Sequence, residues 1–323
     1  MKAIVFGASG FVGREIAAQL RQHHFEVIEI YGPCSPIKAQ QPDRYQTDIT
    51  DEGQVMSLSD IGKADVVVCA AGIAHRPNSV PKDEFWRVNV KGVENVARLA
   101  GKLGACHFVL FSSVLVYGNN DGAQPVTENS ECRPQDIYAK SKLAAEQIAT
   151  KICLEFSINL TIFRPAPIIG AGSKGNFARL IKAIANGRFL WVGSGENLKS
   201  LVYVGDVARA CVEVIERKEP GVEIFNLAAP PVKMKTVVNQ IASILNRRVP
   251  KFQIPASVAI GPLRILASII PGFSGSAKTL EKWLANEVYS AVAIGDAYGY
   301  DDWTDLPEAI SIDVKNWTKG DTN

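Results

Sequence analysis

Lys2-Ala3-Ile4-Val5-Phe6-Gly7-Ala8-Ser9-Gly10-Phe11-Val12-Gly13 is the stretch that decides how the chain is read. Residues Lys2 to Phe6 form a short, nearly continuous apolar run, the pattern of a parallel strand buried on both faces. Glycines at 7, 10 and 13 interrupt it, and an amphipathic segment then runs to about Arg21. Strand, glycine turn and helix in that order are the context a dinucleotide-binding turn requires. The glycines permit a tight turn and a close approach of backbone to a pyrophosphate. The helix N-terminus offers that anion free N–H groups and the positive end of its dipole. The spacing is Gly-x-x-Gly-x-x-Gly, not the Gly-x-Gly-x-x-Gly form.

Working outward, the same alternation repeats. Glu26 to Ile30, Tyr45 to Asp48, Ala64 to Cys69, Cys106 to Phe111 and Asn159 to Phe163 read as further strands, with helical segments between them. This predicts a doubly wound, Rossmann-type parallel sheet of the α/β class. Asp51 is a candidate helix cap. The second strand ends in Tyr31-Gly32-Pro33, so no acid stands where one would hold the adenosine ribose and favour NAD. Arg44 and Lys38 could meet a 2′-phosphate, although solvated surface charge is the simpler reading of both. Ala70-Ala71-Gly72 is small enough to let backbone approach a ligand. A long helix is expected from Lys82 to Leu103, with Asn89 in its middle, a poor helix former unless it bonds something. His75 falls in a loop, with a surface or capping role.

Ligands of open α/β sheets sit beyond the carboxyl ends of the strands, which is where Ser112 and Ser113 fall. The loop from Gly118 to Gln135 leads to a helix carrying Tyr138 and, four residues on, Lys142. That spacing puts both on one helix face. Tyrosine normally loses its proton near pH ~10; a neighbouring ammonium favours the phenolate and makes the pair a proton-transfer group.

After the sixth strand the rhythm changes. Helices are expected near 176–186, 206–216 and 235–245, with strands near 189–192, 201–204 and 222–227 and a final helix starting at Asp305 to Glu308. The division read here is a cofactor domain over 1–170 and a substrate lobe over 171–323, with the segment near 198–227 returning to the sheet. Ile254 to Phe273 is apolar, but Pro255, Pro262, Arg264 and Pro271 break it, so it reads as a lobe helix and not a membrane span.

Composition narrows the classes. Of 323 residues, 47% are apolar and 21% charged, which provides for a sizeable core and excludes global disorder. A net charge of +2 without basic runs excludes a nucleic-acid surface. Six cysteines without Cys-x-x-Cys spacing and four histidines without ligand spacing argue against a disulfide framework or a metal site. The opening strand is not a signal peptide, and a reduced cytoplasmic setting is expected.

Taken together these residues resemble the extended short-chain dehydrogenase/reductase family of NAD-dependent epimerase/dehydratase type, in particular nucleotide-sugar 4-epimerases and 4-ketoreductases. The resemblance rests on Gly7-x-x-Gly10-x-x-Gly13, Asp48, Ala70 to Gly72, Asn89, Ser112 to Gly118, Tyr138-x-x-x-Lys142, Arg164-Pro165 and Leu201 to Asp206. It implies that Gly7, Ser9, Gly10, Phe11, Val12 and Gly13 cradle the pyrophosphate of NAD or NADP, and that Asp48 and Ile49 meet the adenine. Tyr31, Ala70, Ala71, Gly72 and Ser112 are assigned to the cofactor site, with Asn89 steadying the 70–72 loop. Ser113 is expected to bond the substrate oxygen, Tyr138 to be the acid/base and Lys142 to bind the nicotinamide ribose and lower the tyrosine pKa, while Pro165 and Ile168 flank the nicotinamide. Dehydratases of the family carry Asp-Glu directly after the catalytic Ser/Thr; Val114 and Leu115 stand there, which disfavours dehydration. Asn176 is the candidate contact to the diphosphate or uridine of a nucleotide-sugar and Lys199 a candidate contact to its diphosphate, and a homodimer through the 82–103 and 137–156 helices is expected. A reductase of a non-sugar ketone and a non-catalytic cofactor sensor on the same fold are the alternatives.

Overall fold

The computed structural model describes residues 1–36, 42–73, 81–119, 124–173, 175–217, 219–259 and 280–320. Lys38, His75 and the 260–273 part of the apolar segment lie outside them. The chain begins with β1 (Lys2–Phe6), α1 (Phe11–Gln22), β2 (Glu26–Tyr31), β3 (Arg44–Gln46), α2 (Glu52–Ser57) and β4 (Val66–Cys69). A helix follows in two parts, α3 (Lys82–Trp86) and α4 (Gly92–Lys102), joined by a π-helical turn over Arg87–Lys91. Next come β5 (His107–Phe111), α5 (Ile137–Glu155) and β6 (Asn159–Pro165). The remainder holds β7 (Ile168–Ile169), α6 (Asn176–Ala185), β8 (Trp191–Val192), β9 (Leu198–Lys199), β10 (Val202–Tyr203), α7 (Val204–Arg217), β11 (Val222–Leu227), β12 (Val232–Lys233), α8 (Met234–Ile244), β13 (Gln253–Ile254), α9 (Val292–Tyr298) and α10 (Leu306–Gly320).

Seven strands form one parallel sheet in the order β11-β6-β5-β4-β1-β2-β3. This is the expected Rossmann-type sheet, with β11 returning to it from beyond residue 200. Strand order reverses between β1 and β4, where crevices form in such sheets. The central strands are buried on both faces because successive residues serve different layers. Ala3 and Val5 pack with Ile16 and Leu20 of α1 and Val207 and Cys211 of α7. Ile4 and Phe6 pack with Val96 and Leu99 of α4 and Ala149 and Ile152 of α5. Fully burying each such side chain contributes roughly 1.5–3 kcal/mol.

A smaller core sits beyond the sheet. Ile181 and Ile184 of α6, Val238 and Ile241 of α8, and Ala309 and Val314 of α10 meet around Trp191. Among the described residues its β-structure is three two-stranded pairs, β10 with β7, β12 with β9 and β13 with β8. The sequence reading anticipated strands at β8 and β10 and the helices α6, α7, α8 and α10; β7, β9, β12, β13 and α9 were not foreseen. The third strand lies slightly earlier than expected, leaving Asp48 just past its end. Asp51 caps α2, accepting from the Gln54 amide at 3.1 Å. No helix among the described residues is long and apolar enough to cross a membrane.

Candidate functional site

The carboxyl ends of β1, β4 and β5 are level, with Phe6 paired to Cys69 and Cys69 to Leu110. Their continuations therefore form one edge. Gly7, at φ +81°, lies so close to the 70–72 loop that a Cβ there would sit 2.7 Å from the Ala71 nitrogen. A Cβ on Gly13 would lie 2.3 Å from the Gly7 carbonyl oxygen. The turn is thus bare backbone packed against bare backbone. Gly10 N-caps α1 without contributing a side-chain bond, and the first turn carries no acid. An anion therefore meets open amides there without a competing carboxylate. A pyrophosphate fits this cradle, and Gly7, Ser9, Gly10, Phe11, Val12 and Gly13 are the residues that would hold it.

The second strand's end is arranged differently from expectation. Tyr31 is buried, and its hydroxyl donates to Glu29, which also accepts from Arg21 at 2.5 Å and Arg44 at 3.1 Å. Burial first, and Glu29 second, push the Tyr31 phenol up to about 12. The Tyr31 hydroxyl is thus taken by Glu29, its carbonyl accepts from the Thr47 amide at 2.9 Å, and Arg44 is already paired. One oxygen of Asp48 accepts from the amide and hydroxyl of Thr50, at 2.9 and 2.8 Å. Ile49 is buried against Gly92, and its carbonyl accepts from Asn95 at 2.9 Å.

Asn89 sits in the π-helical turn, fully buried. Its side-chain oxygen accepts from the Ile73 amide at 2.8 Å and its amide donates to Ser141 Oγ at 3.0 Å. Ser141 in turn donates to the Tyr138 carbonyl at 2.8 Å. The unusual turn thus ties the Ala70-Ala71-Gly72 loop to the helix of Tyr138. Lys142 Nζ lies beside that loop, 3.5 Å from where a Gly72 Cβ would be, and donates to the Phe111 carbonyl at 2.6 Å.

Ser113 and Tyr138 are hydrogen-bonded to each other, and Phe85 meets the Tyr138 ring edge-on with centroids 6.3 Å apart. Burial raises the Tyr138 phenol to about 12; the Ser113 bond favours the phenolate and the Asp136 carboxylate opposes it. Burial likewise lowers the pKa of Lys142, with Cys69 and Glu146 opposing. The expected direct action of Lys142 on the tyrosine is not what this arrangement displays: the ammonium is directed at the Phe111 carbonyl, and the Ser113 bond supplies the influence toward phenolate. Pro165 is buried at the end of β6, and Ile168 is half-buried in β7.

Ser112 departs from expectation. Adjacent residues leaving a strand face opposite ways, and its hydroxyl donates to Glu146 and not toward Tyr138. Glu146 also takes Arg164 on both oxygens, at 3.0 and 2.5 Å. Arg164 continues to Tyr117 at 3.0 Å, and Tyr117 donates to Asn226 at 2.8 Å. These five side chains are buried and join β5, α5, β6 and β11 just beneath the site. Glu146 was missed in the sequence, though the even spacing of Tyr138, Lys142 and Glu146 along one helix face was a readable sign.

Of the two candidate substrate contacts, Asn176 is exposed at the start of α6. Lys199 is buried and turned into the lobe, donating to the Lys282 carbonyl at 2.5 Å and to Glu287 at 2.7 Å. It is not a free cation facing the crevice, because its charge is satisfied inside the protein.

Fold and site together define a Rossmann-type dinucleotide-binding protein with a Ser-Tyr-Lys cluster at the strand ends. The chain belongs to the NAD dependent epimerase/dehydratase family, whose model matches residues 3–228. It is 31% identical over 262 residues to the N-acetyl-α-D-glucosaminyl-diphospho-ditrans,octacis-undecaprenol 4-epimerase of Escherichia coli O157:H7, covering 78% of this chain and 75% of that protein. Among solved structures it resembles UDP-glucose 4-epimerase with UDP-glucose from Thermotoga maritima, with a TM-score of 0.80 at 20% identity over 99% of both chains. It also resembles WbmH of Bordetella bronchiseptica in complex with NAD+, with a TM-score of 0.77 at 19% identity over 98% of both.

Proposed function

We propose that the chain is an NAD- or NADP-using enzyme that works at C4 of a nucleotide-sugar, as a 4-epimerase or a 4-ketoreductase. The observation that carries this reading is the convergence of Ser113, Tyr138 and Lys142 on the strand edge that also holds the glycine cradle. The nicotinamide, when bound, exchanges a hydride with the sugar carbon. A carbinol cannot give up hydride unless its hydroxyl proton leaves as well, and Tyr138 takes that proton; in the reverse direction it returns it. Ser113 donates to the substrate oxygen as its charge changes, in the manner of an oxyanion donor. Lys142 binds the ribose from beside Gly72. Val114 and Leu115 carry no acid for eliminating water. Asn176 is assigned to the diphosphate, the 171–323 lobe to the sugar nucleotide, and α4 and α5 to a homodimer.

The E. coli relative's name supports a second reading, in which the diphosphate carries a polyprenol instead of a nucleoside. Both readings use the same catalytic groups. Purified protein is denatured and its supernatant scanned for released NAD, then turnover is measured on UDP-hexoses, UDP-N-acetylhexosamines and a polyprenyl-diphosphate N-acetylhexosamine. Tyr138→Phe should lower kcat by about 10²–10⁴-fold while cofactor binding stays. Full activity in that variant sinks the role given to Tyr138, and absence of turnover on all three substrate classes sinks the substrate reading.

A further inference from the structure

The strands β8 and β13 run parallel, with Gln253 opposite Trp191. The residues that enter them, Arg188 to Leu190 and Lys251 to Phe252, therefore lie at the same end of this two-stranded pair. Trp191 is buried, yet Leu190 before it is 64% exposed, and Phe252 is 75% exposed. In the two stretches that carry these side chains the charge has one sign; an acid from elsewhere, Glu281, stands two residues before Trp283, whose ring lies 6.2 Å from that of Phe189. Arg188, Arg247, Arg248 and Lys251 are all exposed, and neither 186–195 nor 245–259 contains an acid. The nearest acid in sequence, Glu196, is already bound to Lys233 and Lys235.

We propose that this end of the lobe is a peripheral docking face for an anionic lipid bilayer. Phenylalanine and leucine side chains enter the boundary between headgroups and acyl chains, and the arginines and lysine meet lipid phosphates. A second copy of the chain is a poorer occupant, because two such faces would bring like charges together over a few apolar side chains, far less than the area a stable dimer buries. A polyanion without an apolar layer leaves Leu190 and Phe252 without a role. The inference stands on this face and not on the substrate reading: a nucleotide-sugar enzyme docks in the same way as one taking a polyprenol diphosphate.

Sedimentation of the full chain with vesicles tests it. The protein should pellet with vesicles of phosphatidylcholine mixed with phosphatidylglycerol, stay in solution with phosphatidylcholine alone, and be released by high salt. Leu190→Glu/Phe252→Glu should lower the partition coefficient by at least about tenfold, and Arg247→Gln/Arg248→Gln by roughly fivefold per residue lost. Neither variant should shift the melting midpoint or turnover of soluble substrate. The proposal is overturned if the unaltered protein ignores anionic vesicles. It is also overturned if pelleting survives unchanged in Leu190→Glu/Phe252→Glu, which means a polyanion contact through the basic residues alone. A change of oligomeric state in that variant without vesicles overturns it too, and assigns the face to protein contact. Vesicle binding is read without turnover, so failure of the substrate reading leaves it untouched.

Discussion

Glu146 beneath the sheet edge and Asp313 in the lobe are both nearly sealed from solvent, 4% and 3% exposed. Glu146 is held by a cation, with Arg164 bonded to both of its oxygens, and Ser112 besides. Asp313 is held by a neutral pair, the Gly170 amide at 3.0 Å and the Ser173 hydroxyl at 3.3 Å. Burial outweighs those bonds and raises its pKa to about 6. The difference separates two kinds of rigidity. Under the site, paired charge fixes a helix against strands, and loss of one partner strands the other. In the lobe, a carboxyl near its titration point pins the loop after β7 to α10, and its contribution changes with pH.

The most severe way to break the comparison is Glu146→Ala. It leaves the Arg164 guanidinium buried without its counter-ion, and the expected loss is about 3–5 kcal/mol in urea unfolding. The paired replacement Glu146→Leu/Arg164→Met should recover most of that stability, and a cost below about 1 kcal/mol for the single change refutes the picture of a buried, mutually dependent pair.

For Asp313 the sign runs the other way from an ion-paired acid. Its folded pKa lies above the ordinary carboxylate value, so its favourable contribution is complete below pH 3.8 and is lost as pH rises through about 6. Asp313→Asn removes that loss. The variant should gain on the unaltered protein between pH 4 and pH 7, by up to roughly 3 kcal/mol. Melting curves across that range decide it, and a difference that stays flat with pH counts against the assignment.

Asn89→Ala is expected to cost about 1–3 kcal/mol, because Ile73 and Ser141 lose their shared partner in a buried turn. Its effect should also reach cofactor affinity, since that turn carries the Ala70-Ala71-Gly72 loop; unchanged affinity separates the loop from the site. The smallest change is Lys199→Met. Glu287 keeps partial access to water, so stability should fall by about 1 kcal/mol or less, and KM for a nucleotide-sugar should stay within about twofold. A larger rise in KM means that Lys199 leaves Glu287 to meet the substrate.

What the sequence disclosed tracks how local each feature is. The glycine turn, the apolar strands and the Tyr138-Lys142 spacing are written within a few residues of themselves, so the sheet, its crevice and the shared helix face of Tyr138 and Lys142 were legible. The return to the sheet was expected of the segment near 198–227, but only β11 (222–227) joins it, while β9 and β10 pair within the lobe. The inward turn of Ser112 follows from alternation along a strand and was available in principle. Lys199 could not be read correctly, because the partner that neutralises it, Glu287, is 88 residues away. The bond between Tyr117 and Asn226 spans 109 residues. The two-residue strands of the lobe are too short for periodicity to register. In that half, tertiary partners decide which side chains are free, and the sequence lists the candidates without pairing them.

The loop that introduces the helix of Tyr138 does not stand alone. Val126 donates to Val288 at 2.9 Å and accepts from Ser290 at 2.8 Å, and the Asn226 amide donates to Glu128 at 2.7 Å. Residues near 125 are thus stitched into place by chain that is synthesised much later. During translation the sheet strands up to β6 can associate early, but the approach to Tyr138 is completed only after the segment around 288–290 has emerged. A division at residue 170 therefore marks a change in sequence rhythm and not a place to cut. A fragment ending there would retain the glycine cradle while lacking β11 and the outer wall of the crevice. Loss of the segment around 288–290 would remove the bonds that hold Val126 while leaving Ser113, Tyr138 and Lys142 in the chain.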